Sequence, residues 1–120
     1  MKSGRKISGG KYIKRRKKKL YERPGQRRII KLGEDKRKRK RTRGGNEKIV
    51  LYSVKLVNVK TKDEKIKKTE IKNVLETPSN RFLARQNVIT KGAVVETELG
   101  KVKITNRPSQ EGIVNGILVE

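Results

Sequence analysis

The distribution of charge along the chain limits its fold more than any other feature. The first 48 residues contain 22 Lys and Arg but only 4 Asp and Glu, whereas the remaining 72 contain 13 and 8. Apolar residues follow the opposite trend, with 9 in the first part and 28 in the second. Because like charges at this density repel one another, the sequence predicts two parts. These are a basic arm over residues 1–47, disordered when free, and a small folded core over residues 48–120.

Two runs of six consecutive cations, residues 14–19 and 36–41, lie in the basic arm. Seven of the eleven glycines also fall there, including the pairs Gly9–Gly10 and Gly44–Gly45. Charge repulsion and glycine flexibility both disfavour regular secondary structure. We therefore expect no stable helix or strand in the free arm, and ordering only when phosphates screen the cations, as in arginine-rich segments that fold on RNA.

The net charge of +23 predicts a polyanionic partner, and nucleic acid is the first candidate. A membrane surface is disfavoured because the apolar residues among the cations, such as Tyr12 and Leu20, are too sparse for an amphipathic helix. A localisation signal or a solubilising face would need fewer cations than the arm carries. The candidate RNA-binding residues are Arg5, Lys6, Lys11, Lys14, Arg15, Arg16, Lys17, Lys18, Lys19, Arg23, Arg27, Arg28, Lys36, Arg37, Lys38, Arg39, Lys40, Arg41, Arg43, Gly44, Gly45, Asn46 and Arg81.

The segment Arg41–Asn46, RTRGGN, is a separate candidate within this set. Arg binds phosphate bidentately and stacks on bases, and two glycines let the backbone approach a ligand closely. The alternative is a flexible linker into the first strand. The phosphate-binding pattern GxxxxGK[ST] of nucleotide hydrolases does not occur.

The side chains that the sequence lacks exclude several kinds of chemistry. The chain has no Cys and no His, so disulfides, thiolate nucleophiles, zinc fingers and histidine acid–base catalysis are excluded. Asp63–Glu64 and the pair Glu96 and Glu98 have no matching partner in the sequence and fit a turn and a solvated strand face. We expect no enzymatic activity, metal or cofactor. No secretory signal is expected, and no apolar run approaches the ~20 residues of a membrane helix.

The second part of the chain is predicted to be mainly β structure, since 18 of its 28 apolar residues are Val or Ile. Residues 48–60 predict one strand with Tyr52, Val54, Leu56 and, less regularly, Val59 on its apolar face. Tyr52 and Phe82 are expected in the core. Tyr12 and Tyr21 lie among cations, and stacking or packing against RNA stays open for them.

The remaining segments predict further short strands. Residues 66–75 alternate weakly, residues 81–86 allow a helical turn, and residues 93–105 predict a hairpin with its turn at Gly100 and facing Glu and Lys side chains. After a loop over residues 106–112, residues 113–119 form a last apolar segment with an Asn115–Gly116 turn. About six short strands favour a small β-barrel or sandwich with a long basic, irregular N-terminal extension.

Several segments together are similar to a known family. RKISGG at residues 5–10, RTRGGN at 41–46, TPSNR at 77–81, NVITKGAVVET at 87–97 and NRPSQEGIVNGILV at 106–119 resemble, in this order, the archaeal form of small-subunit ribosomal protein eight of the archaeal and eukaryotic series. That family is unrelated to the bacterial protein of the same number. The resemblance extends over almost the whole chain.

This resemblance implies a β-barrel-like core with an extension embedded in ribosomal RNA. It implies small-subunit ribosomal RNA and neighbouring ribosomal proteins as partners, a cytoplasmic location in the small subunit, and no membrane or homo-oligomer. The expected role is structural, with the arm neutralising phosphates between RNA helices and the core docking on the RNA surface. The alternative is a stand-alone nucleic-acid compaction protein or RNA chaperone, which would bind DNA and RNA without discrimination.

Overall fold

Eight strands and two short helices make up the regular structure of the described part of the chain. The computed structural model describes residues 4–13 and 16–119. The strands are β1 (Lys31–Leu32), β2 (Lys36–Arg41), β3 (Glu47–Val54), β4 (Leu56–Lys60), β5 (Ile66–Glu76), β6 (Val94–Thr97), β7 (Gly100–Ile104) and β8 (Asn115–Val119). The helices are α1 (Arg81–Arg85) and α2 (Pro108–Glu111), and single 3-10 turns cover Leu20–Glu22 and Arg43–Gly45.

The last five strands close into a barrel in the order β4-β5-β6-β7-β8. Neighbours are antiparallel except β4 and β8, which pair in parallel and place Val59 opposite Gly116. Inward-facing residues alternate along each strand, so Val57 and Val59 of β4 and Val102 and Ile104 of β7 are all buried. The prediction of a small barrel is confirmed, and closure removes the unpaired edges that a sandwich would keep.

The first three strands form a second sheet in the order β1-β3-β2. β3 lies at its centre, parallel to β1 and antiparallel to β2. A single residue, Lys55, separates β3 from the barrel strand β4. Ile30, Leu51 and Val54 pack in the same apolar cluster as the barrel residues. The two sheets therefore share one core.

Local sequence patterns predicted several elements correctly. The helical turn over residues 81–86 is α1, and the hairpin over residues 93–105 is β6-β7. Its turn is formed by Glu98 and Leu99, and Gly100, where the turn was predicted, begins β7. Glu96 lies opposite Lys101 in this hairpin, as expected for facing charges. Six strands lie within residues 47–119, in agreement with the predicted number.

Three details of the predicted core are wrong. Residues 48–60 form two strands, and the side-chain alternation is displaced, so Tyr52 is 37% exposed while its neighbour Leu51 is buried. Phe82 on α1 is also exposed, at 55%. Asn115 and Gly116 begin β8 instead of forming a turn.

The prediction that the basic run at residues 36–41 has no regular structure is also wrong. It forms β2, which pairs with β3 from Lys36 opposite Ser53 to Arg41 opposite Glu47. The charge is tolerated because β2 is an edge strand whose side chains remain largely in solvent. Ile30, only 2% exposed, anchors the preceding segment, and its carbonyl accepts a hydrogen bond from the Ile89 N–H at 2.9 Å.

Candidate nucleic-acid interface

Strand β2 places its three Lys and its three Arg side chains on opposite faces of the sheet. Lys and Arg alternate along it, so Lys36, Lys38 and Lys40 point to one face of the sheet and Arg37, Arg39 and Arg41 to the other. Only Arg37 is paired with a carboxylate among the described residues, through a 3.2 Å contact between its Nη2 and Asp35 Oδ2. The strand therefore presents unneutralised charge on both faces.

The segment RTRGGN is the turn that joins β2 to β3. The Thr42 N–H donates to the Asn46 carbonyl at 2.7 Å, and the Thr42 hydroxyl donates to the same oxygen at 2.9 Å. Gly44 and Gly45 both have positive φ, +78° and +77°. Because other residues adopt positive φ only at a cost, the geometry of this turn explains why two glycines occur here. The flexible-linker interpretation is wrong, because the segment closes a paired hairpin. The turn exposes Arg43 and leaves it free for a phosphate.

The first described residues form a small loop held by backbone hydrogen bonds. Arg5 and Lys11 form an antiparallel bridge, and the Lys6 N–H donates to the Gly10 carbonyl at 2.9 Å. The Lys6 ammonium lies 5.9 Å from the centre of the Tyr12 ring, within reach of a cation–π interaction. The loop thus holds three candidate cations close together in solvent. Lys14 and Arg15 lie outside the described residues.

Among the candidate cations that the structure describes, one is paired with a glutamate, and it lies in the next basic segment. The Arg16 guanidinium pairs with Glu22, and the Lys19 backbone N–H donates to the second oxygen of the same carboxylate at 2.9 Å. The Arg16 hydrogen bond, followed by that of Lys19, lowers the pKa of Glu22 below its ordinary value. Lys17 and Lys18 remain exposed beside this closed turn.

A concave surface brings together cations from three separate parts of the chain. This groove, of about 720 Å³, is lined by Arg27 and Arg28, by Lys40 of β2, by Tyr52 of β3 and by Arg107 beside α2. Its other lining residues are Gly25, Gln26, Ile29, Ser109 and Gln110, so no carboxylate of the described residues faces it. None of its four cations has a carboxylate within salt-bridge distance among the described residues. We call this concavity the Tyr52 groove.

An adjoining cleft of about 550 Å³ shares the segment Arg27–Ile29 and Arg107 with the Tyr52 groove. Its floor is more apolar and includes Leu83, Ile89 and Pro108. Arg28 Nε is buried and has no hydrogen-bond partner among the described residues. Arg28 lines both concavities, and leaving its buried Nε donor without an acceptor is unfavourable.

Comparison with known proteins decides the family. The family model described as ribosomal protein S8e matches residues 1–119. The chain belongs to the ribosomal protein S8e family.

Curated relatives agree over nearly the full length of the chain. It is 47% identical over 115 residues to small ribosomal subunit protein eS8 of Nanoarchaeum equitans, covering 95% of this chain and 91% of the relative. It is 50% identical over 119 residues to eS8 of Staphylothermus marinus, covering 97% and 92%. It is 40% identical over 119 residues to eS8 of Methanosarcina barkeri, covering 98% and 95%.

The sequence of this S8e chain does not identify Tyr52 and Arg107 as groove residues. The spacing of Tyr52 from Val54 indicates an apolar face and predicts Tyr52 in the core, and Arg107 is predicted in a loop. No local pattern places Arg107 beside Arg27 and Lys40, because that proximity depends on the packing of α2 against β3. The one hint was the net positive charge of the loop-forming NRP sequence.

One candidate from the core lies apart from this groove. Arg81 begins α1, whose N-terminus is capped by Asn80, with the Asn80 side-chain oxygen accepting from the Phe82 N–H at 3.0 Å. The Arg81 guanidinium lies 5.2 Å from the centre of the exposed Phe82 ring. Arg81 lines neither the Tyr52 groove nor the adjoining cleft.

Residues 4–13 and 16–119 contain no group of three or more acidic side chains arranged to hold a metal ion. None of their helices has the length and apolar character needed to cross a membrane.

Proposed function

We propose that this S8e protein is a structural component of the small ribosomal subunit that binds ribosomal RNA through its basic arm, residues 1–47, and stabilises the folded RNA. The printed names of its relatives are those of small-subunit proteins. The observation that carries the proposal is the set of unneutralised cations on both faces of β2 and in the segments before it. Such a surface needs a polyanion.

The two halves of the arm contribute differently to this binding. The described residues before Gly25 form only local loops and turns in the free protein and become ordered along RNA, where they neutralise phosphates between neighbouring helices. Residues 30–47 are already structured as β1, β2 and the hairpin turn, and they hold their cations at fixed spacing. A flexible segment next to a rigid one lets the protein recognise RNA shape more than base sequence.

This role requires no catalysis and no cofactor. Its partners are small-subunit ribosomal RNA and the ribosomal proteins beside it, in the cytoplasm, with one copy of the chain acting alone. About ten phosphate contacts would give a dependence of log affinity on log salt of roughly −7 to −9.

The first experiment follows the protein by mass spectrometry through a sucrose gradient of cell lysate at low and high salt. Co-migration with the small subunit at both salt concentrations supports the proposal. Release into the free pool at modest salt, or co-migration with DNA, would contradict it and favour the stand-alone compaction protein.

The second experiment asks whether the arm carries the affinity. In one variant Lys17, Lys18 and Lys19 are changed to Gln, and in the matched control the exposed Lys67, Lys68 and Lys72 of β5 are changed to Gln. Both variants lose the same formal charge. We expect a large loss of affinity for small-subunit RNA only in the first, and equal losses would show that net charge alone governs binding.

A further inference from the structure

We propose that the Tyr52 groove binds one unpaired nucleotide of RNA, with the base stacked on the Tyr52 ring and the flanking phosphates held by Arg27, Lys40 and Arg107. This inference rests on the proposed function and names one site at which the protein binds RNA. It assigns a single-stranded feature of the RNA to one groove of the folded protein, where the arm cations Arg27 and Lys40 act together with Arg107 of the core.

The position of Tyr52 is set by an irregularity in the sheet. Lys36 of β2 pairs with Ser53 and Arg37 pairs with Leu51, which leaves Tyr52 without an opposite residue. Tyr52 is thus the extra residue of a β-bulge, a feature that redirects a side chain and is common beside functional sites. Leu51 before it is fully buried, so the backbone that carries the exposed ring is anchored in the core.

The charge around the ring requires an anionic ligand. Arg27 lies before β1, Lys40 in β2 and Arg107 in the loop before α2, and Arg28 adds a fourth cation. Folding brings them together although they repel, and within residues 4–13 and 16–119 no carboxylate lines the groove. Arg107 is exposed and its side chain makes no ion pair among the described residues, so it is available to a phosphate.

The shape and lining of the groove favour a nucleotide over a duplex. Its volume of about 720 Å³ is in the size range of small-ligand sites, whereas a duplex offers a convex backbone with its bases stacked inside. An unpaired base has a free face for an aromatic ring and free edges for hydrogen bonds. Gln26, Ser109 and Gln110 supply polar groups that can reach such edges.

The test measures the affinity of the full chain for two short RNAs, a perfect duplex and the same duplex with one unpaired adenosine. Fluorescence anisotropy at fixed salt gives the ratio of the two affinities. Base stacking on one aromatic residue predicts a preference for the second RNA of about five- to hundredfold. Tyr52→Leu should abolish this preference and leave duplex affinity unchanged, whereas Tyr52→Phe should retain it.

Two further variants control for folding and for location. Phe82→Leu removes another exposed aromatic ring that lies outside the groove, and it should keep the preference. Arg107→Gln changes an exposed side chain, so it tests the groove even if Tyr52→Leu does not fold. It should weaken binding of the RNA with the unpaired adenosine more than binding of the duplex.

The outcomes separate this inference from the proposed function. Salt-dependent binding of both RNAs with no preference, or a preference that survives Tyr52→Leu and Arg107→Gln, would overturn the nucleotide site and leave the proposed function standing. Displacement of the RNA from the groove by oligoglutamate of the same charge would indicate that the groove binds an acidic protein segment. That result would also overturn the nucleotide site. Absence of salt-dependent binding to either RNA would overturn both the nucleotide site and the proposed function.

Discussion

Gly116 of β8 lies so close to Val102 of β7 that a β-carbon at position 116 would come within 2.4 Å of Val102 Cγ1. The added β-carbon would also lie 3.0 Å from the Lys103 carbonyl oxygen. Gly116 is buried and also pairs with Val59 of β4, where the barrel closes. Its missing side chain is what allows β8 to lie this close to the Val102 side chain and the Lys103 backbone of β7.

Gly116→Ala should therefore destabilise the protein. The added methyl group meets a stiff, β-branched side chain and a backbone oxygen, neither of which can move easily, and overpacking of this kind costs about 1–3 kcal/mol. Denaturant unfolding measures the loss. Gly25→Ala is the control, because a β-carbon there meets nothing within 4 Å. An unchanged free energy of unfolding for Gly116→Ala would show that the barrel is wider in solution.

The boundary between arm and core can be located with two adjacent isoleucines. Ile30 is 2% exposed and packs in the shared core, whereas Ile29 is 52% exposed. Ile30→Ala should cost about 2–5 kcal/mol through the cavity it leaves, and Ile29→Ala should stay within about 0.5 kcal/mol. Thermal unfolding distinguishes them. Similar small effects for both variants would mean that the folded core begins after residue 30.

The elements that could be predicted from the sequence depend on local patterns. The hairpin β6-β7 was predictable because alternating Val, Glu and Lys residues and a short turn lie within one segment, so the facing of Glu96 and Lys101 follows from the register alone. The helical turn of α1 was likewise predictable from TPSNR, in which Asn80 is a favourable N-cap.

The elements that could not be predicted depend on distant partners. The run KRKRKR has no strand pattern of its own, and it becomes β2 only because β3 supplies a continuous edge to pair with. The exposure of Tyr52 follows from a bulge in that same pairing, and the location of Arg107 in the groove follows from the packing of α2 on β3. Candidate cations could thus be identified from composition, but their arrangement could not.

The turn between β2 and β3 predicts a difference between two substitutions at one position. Gly45 has a φ of +77°, where a β-carbon is unfavourable by roughly 1–2 kcal/mol although nothing lies within 4 Å of it. Gly45→Ala should lower the free energy of unfolding by about that amount, and Gly45→Asn should lower it less because Asn tolerates this conformation. Equal losses in denaturant unfolding would indicate that backbone strain is not the cause.

The contact between Arg16 and Glu22 predicts a pH dependence in the basic arm. Because the pKa of Glu22 is lowered in the folded turn, first by Arg16 and then by the Lys19 N–H, the carboxylate stabilises the turn above its ordinary pKa. This stabilisation is lost as the pH falls through the lowered value. Titration of the Glu22 carboxyl carbon by NMR should give a pKa below the ordinary range in the wild type. Arg16→Gln should raise that pKa, whereas Arg23→Gln, which removes a neighbouring cation with no carboxylate partner among the described residues, should change it little. An ordinary Glu22 pKa in the free protein that falls only when RNA is added would show that the turn forms on the RNA.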